Sequence, residues 1–256
     1  MDRNEKQKQL LDASAQAFNS VVVIEKLRNR ILATRDMTGV SKKPRHIFND
    51  EVIQKIYDAL YDHLTSGYFW EAFIFMLCDD MDRFSFATTS SVGYVSEIDR
   101  SNVLKRLKPI KSTCYEAISL RDHTLHMVET FLTSSSAIAT SAQFTTLCAS
   151  ILHDFGKSRD LVFDIDPSLV EEKYDHAEFG YQYVIYLKRK IAKQFEEKIK
   201  NDQYFEYQLS LIDIIADGVK YHHHNTRQFG DTPYRVGFID QKTRESEWYA
   251  YLDSKS

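Results

Sequence analysis

At 256 residues, with 43% hydrophobic, 13% aromatic and 27% charged residues, the chain has an ordinary globular composition and is long enough to bury a sizeable core. Eight glycines and four prolines are too few for a turn-rich β-sandwich and favour helices. A net charge of -4 gives no global electrostatic footprint for nucleic acid, and the most apolar stretch, 69–78, is about half of a membrane span.

The N-terminal residues are charged and amphipathic without an apolar core region, so no signal peptide is expected. Cys78, Cys114 and Cys148 are widely spaced, without a CxxC pair. They read as reduced, buried thiols, and the expected compartment is the cytoplasm.

Residues 5–34 carry apolar side chains at helical spacing, and 41–46, around Pro44, read as a loop. Asn49-Asp50 can cap a helix over 51–64 with Val52, Ile56, Ala59, Leu60 and Leu64 on one face. Residues 69–79 predict a buried helix, and 83–96 a short hairpin or an irregular connector. Helices are expected over 114–133 and over 141–155, the second stopped by Gly156. A long helix over 175–200 follows, with a charged, solvated second half, and then another over 204–222. The Gly- and Pro-containing stretch 225–238 reads as a loop, and the last helix is expected to start near Asp240. The fold class is therefore all-α.

The histidines carry the chemistry. They fall in one order along the chain: His123, the pair His153-Asp154, His176, then His222-His223. Neutral imidazole and carboxylate hold Zn, Mn or Fe with positions left open for water and substrate. Adjacent residues at a helix end point about 100° apart, so His153 and Asp154 reach one metal only if that end faces a pocket. A metal bridged by Asp154 would bring the pKa of its water towards neutrality for attack at phosphorus. Lys157 would then neutralise a phosphate oxygen or protonate the leaving group. His126, three residues after His123, is a competing ligand, and Gly180 permits close helix packing beside His176.

This order, with LHDFGK for the doublet, HAEFG for the next histidine and VKYHHHN for the distal pair, resembles the HD superfamily of metal-dependent phosphohydrolases over residues 112–250. The resemblance implies an HD-type helical bundle over 111–256, preceded by a helical region over 1–110 of open role. It implies one ion on His123, His153, Asp154 and Asp240 and a second on His176, His222 and His223, with Asp154 bridging. Asp240 is preferred as the late ligand, and Asp231 in GDTPY is its alternative. Lys157 is the catalytic cation beside Asp154, and Arg244 orients Asp240 or contacts substrate. The cofactor would be one or two ions of Mn, Fe, Zn, Mg or Co, and the substrate a phosphate ester in a nucleotide or nucleic acid.

Two features narrow the resemblance. His224 stands where the cyclic-di-GMP phosphodiesterase branch has Glu, and no GYP follows, so cyclic-di-GMP is a poor first choice. HTLHMV, HDFGK and DQKTR look more like the HD domains of TraI-like conjugative relaxases, which are much longer proteins. The alternatives are a DNA nickase or nuclease of a mobile element, and a non-catalytic module that binds a nucleotide or a protein. The locally basic stretches 41–45 and 100–111 would serve a nucleic-acid partner.

Overall fold

The computed structural model describes residues 47–63, 67–93, 96–106, 109–134, 140–166, 168, 174–224 and 227–255. The helix expected over 5–34 and the loop over 41–46 lie outside them, as does Leu64. Phe48–Ser256 form one compact unit, and the expected boundary at 110/111 falls inside a helix of it.

The described residues form eleven α-helices and no strand. In chain order they are α1 (Glu51–Asp62), α2 (Gly67–Arg83), α3 (Glu97–Arg106), α4 (Pro109–Glu116), α5 (Leu120–Ser134) and α6 (Ser141–Leu152). There follow α7 (Arg159–Ile165), α8 (His176–Gln194), α9 (Glu196–Asn201), α10 (Gln203–Lys220) and α11 (Asp231–Asp253). None of them is long and apolar enough to cross a membrane.

Helices α5, α6, α8, α10 and α11 pack into a bundle, and α1 and α2 cover its outer side through α5 and α8. Helix α6 is its centre. Its residues Phe144–Leu152 are all buried, so it touches neighbours on every side, as an apolar run without a polar stripe must. Trp70 of α2 packs edge-on against Phe144 at 4.9 Å, and its indole N–H donates to Gln208 of α10. The three cysteines are buried and free.

Four expected elements differ from the structure, each for a local reason. Helix α1 buries Ile53, Ile56, Tyr57 and Leu60, a face rotated from the expected one because the Tyr57 ring packs inward on Phe48. The stretch 114–133 is two helices, α4 and α5. Ser119 interrupts it, accepting from the Asp122 N–H at 3.0 Å to start α5 and bridging to Ser90. The long helix from 175 breaks at Phe195, whose buried ring stacks on Phe205 and meets Phe69. The last helix starts at Asp231, not near Asp240. Pro233 sits in its first turn, where no intrahelical N–H is needed, so the proline read as a loop marker opens a helix.

Of the stretch 83–96, the described residues 84–93 are turns with no strand, the connector of the two expectations, and the Ser90–Ser119 bridge is isolated. Its backbone is anchored by Ser91 N–H to the Ile118 carbonyl at 2.8 Å and by the Leu120 N–H to Thr89 at 2.7 Å. That anchoring fixes Ser91 beside the histidine cluster.

Candidate metal centre

The side chains singled out in the sequence arrive from five places. His123 projects from α5, and His153 and Asp154 from the end of α6. His176 opens α8, His222 and His223 follow the last turn of α10, and Asp240 lies in the middle of α11. Each helix end is set by its own local bonds. Asp175 caps α8 by accepting from the Glu178 N–H at 3.1 Å, which delivers His176 in the first turn. Gly156, in the 3-10 turn after His153-Asp154, lies against α8 so closely that a Cβ would be 2.0 Å from the His176 carbonyl oxygen. Gly156 is thus required by a close approach, and α6 itself ends earlier, at Leu152.

The ligand atoms converge. Nε2 of His153 lies 3.3 Å and Nε2 of His123 3.7 Å from Oδ2 of Asp154, while Nε2 of His176 lies 3.6 Å from Oδ1 of the same carboxylate. Oδ1 of Asp240 is 3.5 Å from His123 Nε2 and 3.7 Å from His153 Nε2. Three triads follow, each with ligand atoms within 4.8 Å: His123–His153–Asp240, His153–Asp154–His222 and His176–His222–His223. The middle one joins the other two. His223 and His176 face each other with Nε2 atoms 2.9 Å apart.

The other ring nitrogens explain why Nε2 points inward. Nδ1 of His153 and of His222 lie 2.7 and 2.6 Å from the carbonyls of Ser150 and Val219, three residues earlier in each case. A carbonyl only accepts, so both imidazoles carry a proton on Nδ1, and Nε2 is the nitrogen turned towards the cluster. Nδ1 of His123 meets Glu247 at 2.8 Å and Nδ1 of His176 meets Asp99 at 2.5 Å. Outer carboxylates of this kind fix the tautomer of a metal-binding histidine. Nε2 of His123, His153 and His222 and Oδ1 of Asp240 are buried with no hydrogen-bond partner among the described residues.

Charge is concentrated in this small volume. Burial opposes the Asp154 carboxylate, but His153 and Lys157 outweigh it and hold its pKa well below the usual range. Asp240 is likewise held low, against burial, by His123, His153 and Arg244. His153 is raised to about 9, since the Asp154 and Asp240 carboxylates outweigh its burial. His222 is pushed down to about 3 by burial and by the neighbouring His153 and His176, so it is a neutral imidazole, the form that binds metals.

Lys157 is almost fully buried and spends two N–H bonds, on Asp154 Oδ2 at 2.6 Å and on the Ser91 carbonyl at 2.8 Å. Arg244 reaches Ser91 Oγ at 2.9 Å, the Ser91 carbonyl at 3.1 Å, Glu247 at 3.3 Å and Asp154 at 3.4 Å. Its Nε lies 3.6 Å from Asp240. The guanidinium is therefore held by Ser91 among the carboxylates of Asp154, Asp240 and Glu247. Asp231 is remote in character, exposed and paired with Arg227 at 3.5 Å. His126 is partly exposed and binds Glu247 at 2.9 Å, so it shares the outer carboxylate of His123 and joins none of the triads.

Three participants escaped the sequence reading. Glu247 had a signal, because Asp240, Arg244 and Glu247 recur at i, i+4 and i+7 on one face of α11. Asp99 and Ser91 had none, since their partners lie 77 and 66 residues away. A cavity of about 280 Å³ opens beside the cluster, walled by His176, His223, Asp240 and Lys157 on one side and by α3 and Tyr115 on the other. Compared with protein-family models, with curated proteins and with solved structures, the chain finds no match.

Proposed function

We propose that the chain is a metal-dependent phosphohydrolase of the HD type, acting on a phosphate ester of about mononucleotide size. One observation carries this reading. Four buried donor atoms, on His123, His153, His222 and Asp240, converge around Asp154 without hydrogen-bond partners among the described residues. A buried polar atom left so costs about 1–3 kcal/mol, and divalent cations satisfy all four.

The donors fit such ions. A set of imidazoles with two carboxylates suits Mn, Fe, Zn or Co better than Mg, which favours oxygen in strict octahedral geometry. His123, His153, Asp154 and Asp240 would hold one ion. His176, His222 and His223 would hold the second, with Asp154 between them. Bound there, the ions would supply a nucleophilic water at neutral pH and neutralise charge at phosphorus.

The remaining chemistry belongs to the side chains. Lys157 has three N–H donors and spends two, which leaves one for a phosphate oxygen or a leaving group. Arg244 holds Asp154, Asp240 and Glu247 in register and is a positioning residue rather than a substrate contact. Val92, Val103 and Tyr115 give the cavity an apolar wall for the rest of the substrate. The cavity volume of about 280 Å³ lies at the small end for ligand pockets, which favours a single nucleotide over a nucleic-acid strand.

The test is the metal content and nucleotide-phosphatase activity of the untagged protein beside Asp154→Ala. One or two transition-metal ions per chain and turnover are expected, both lost in the variant while its helical circular dichroism is kept. Full activity of Asp154→Ala would overturn the mechanism. Tight nucleotide binding without turnover, with Mn, Fe and Zn each supplied, would replace it with a binding module.

A further inference from the structure

Helix α3 lies outside every segment that carries the histidine pattern, yet it reaches the cluster. Asp99, in its first turn, is fully buried. Its Oδ1 accepts from the backbone N–H of His176 at 3.2 Å and lies 2.5 Å from Nδ1 of the same residue. The carboxylate therefore holds both the start of α8 and the imidazole that starts it. Asn102 and Val103, at i+3 and i+4 from Asp99, occupy the same face of α3 and line the cavity. A second contact ties the same two elements without touching the imidazole: Ser96 Oγ donates to the Tyr174 carbonyl at 2.6 Å and accepts from the Asp99 N–H at 3.1 Å.

The histidines of the second triad are held unequally. His222 is fixed by its own helix end, through the Val219 carbonyl. His176, at the first position of α8, has no carbonyl of a preceding turn to hold its Nδ1, and Asp99 takes that place. We infer that Asp99 is the positioning residue of His176, and that through it α3, a wall of the substrate cavity, sets the metal affinity of the His176–His222–His223 triad alone. This rests on the metal reading above. The His123–His153–Asp240 triad is oriented instead by Glu247 and the Ser150 carbonyl.

The experiment is a calorimetric Mn²⁺ titration of the wild type, Asp99→Asn and Ser96→Ala, with bound ions counted by elemental analysis. The wild type is expected to take up two ions. Asp99→Asn should keep one at near wild-type affinity and bind the other roughly 10- to 100-fold more weakly. Ser96→Ala, which loosens the same junction without freeing the imidazole, should bind both as the wild type does.

Two unchanged sites in Asp99→Asn would overturn the inference, and so would an equal loss in Asp99→Asn and Ser96→Ala, since that is the mark of mere docking. A wild type that takes up no ion would sink the metal reading and this inference with it. Should Asp99→Asn fail to fold, nitrogen-15 spectra of the Zn-loaded wild type decide the matter. His176 is expected with its proton on Nδ1, and a proton on Nε2 would refute the role of Asp99.

Discussion

At the scale of single residues, Asp154 shows how burial and charge are reconciled. It is fully enclosed, and burial alone would favour the neutral acid, yet imidazoles, Lys157 and Arg244 surround it and keep it ionised. Glu247 does comparable work one step further out. One oxygen serves His123 and His126 and the other serves Arg244, so it links a ligand to the arginine that aligns two more. Burial works against its charge, but His123, His126 and Arg244 outweigh it, and its carboxyl titrates well below the usual range. Glu247→Gln keeps the shape and removes the charge. It is expected to weaken ion binding at the His123 half roughly 10- to 100-fold, while the His176 half is spared. A Mn²⁺ titration checks this, and Glu247→Gln and Asp99→Asn should lose opposite sites.

At the scale of elements, two glycines that look alike in sequence differ in what surrounds them. A Cβ on Gly156 would lie 2.0 Å from the His176 carbonyl oxygen and 2.6 Å from the Gly180 nitrogen, and both are backbone atoms that cannot turn aside. Gly156→Ala must push the doublet turn away from α8, and should destabilise the protein by roughly 3 kcal/mol or more. On Gly180 the nearest atom is a side-chain methyl of Val219 at 2.8 Å, which can yield. Gly180 also lies inside a helix, where alanine gains about 1 kcal/mol over glycine. Gly180→Ala should therefore cost no more than about 1 kcal/mol. Urea midpoints of the two variants test the contrast, and equal midpoints would refute the close approach of α8 to the turn.

At the scale of the whole molecule, the cluster ties together helices that are far apart in sequence. The candidate ligands come from α5, α6, α8, α10 and α11 or their ends, so ions bound there would link every layer of the bundle. An ion that binds only the folded chain stabilises it by about 2.7 kcal/mol at one hundred times its Kd. For a unit of this size that raises Tm by roughly 5–10 °C. Scanning calorimetry with added Mn²⁺ is expected to show this rise in the wild type and not in Asp154→Ala. A wild-type Tm that ignores Mn²⁺, Fe²⁺ and Zn²⁺ alike would contradict a site that spans the bundle.

Much of this is legible in the sequence alone. Apolar spacing announced helices α1, α8 and α10, because burying one stripe of a helix requires that period, and apolar runs announced the enclosed α2 and α6. The residues of the cluster stood out too, since His123, His153, Asp154, His176, His222, His223 and Asp240 are chemically unusual neighbours for helix ends and apolar runs, and the fold brings them together. Where elements begin and stop was less so. Pro233 breaks a helix in one context and opens it in another, and only the neighbouring turn decides which. Phe195 interrupts a helix because a ring pocket on α2 and α10 receives it.

The sequence by itself determined an all-α chain and the residues able to hold a metal. Tertiary structure alone decided that Asp99 and Ser91 stand behind them, and that Arg244 sits between Ser91 and three carboxylates. Ligand chemistry is a property of the side chain and can be read one residue at a time. The partner of an imidazole's second nitrogen depends on which distant element packs against it, and that is settled only when the helices meet.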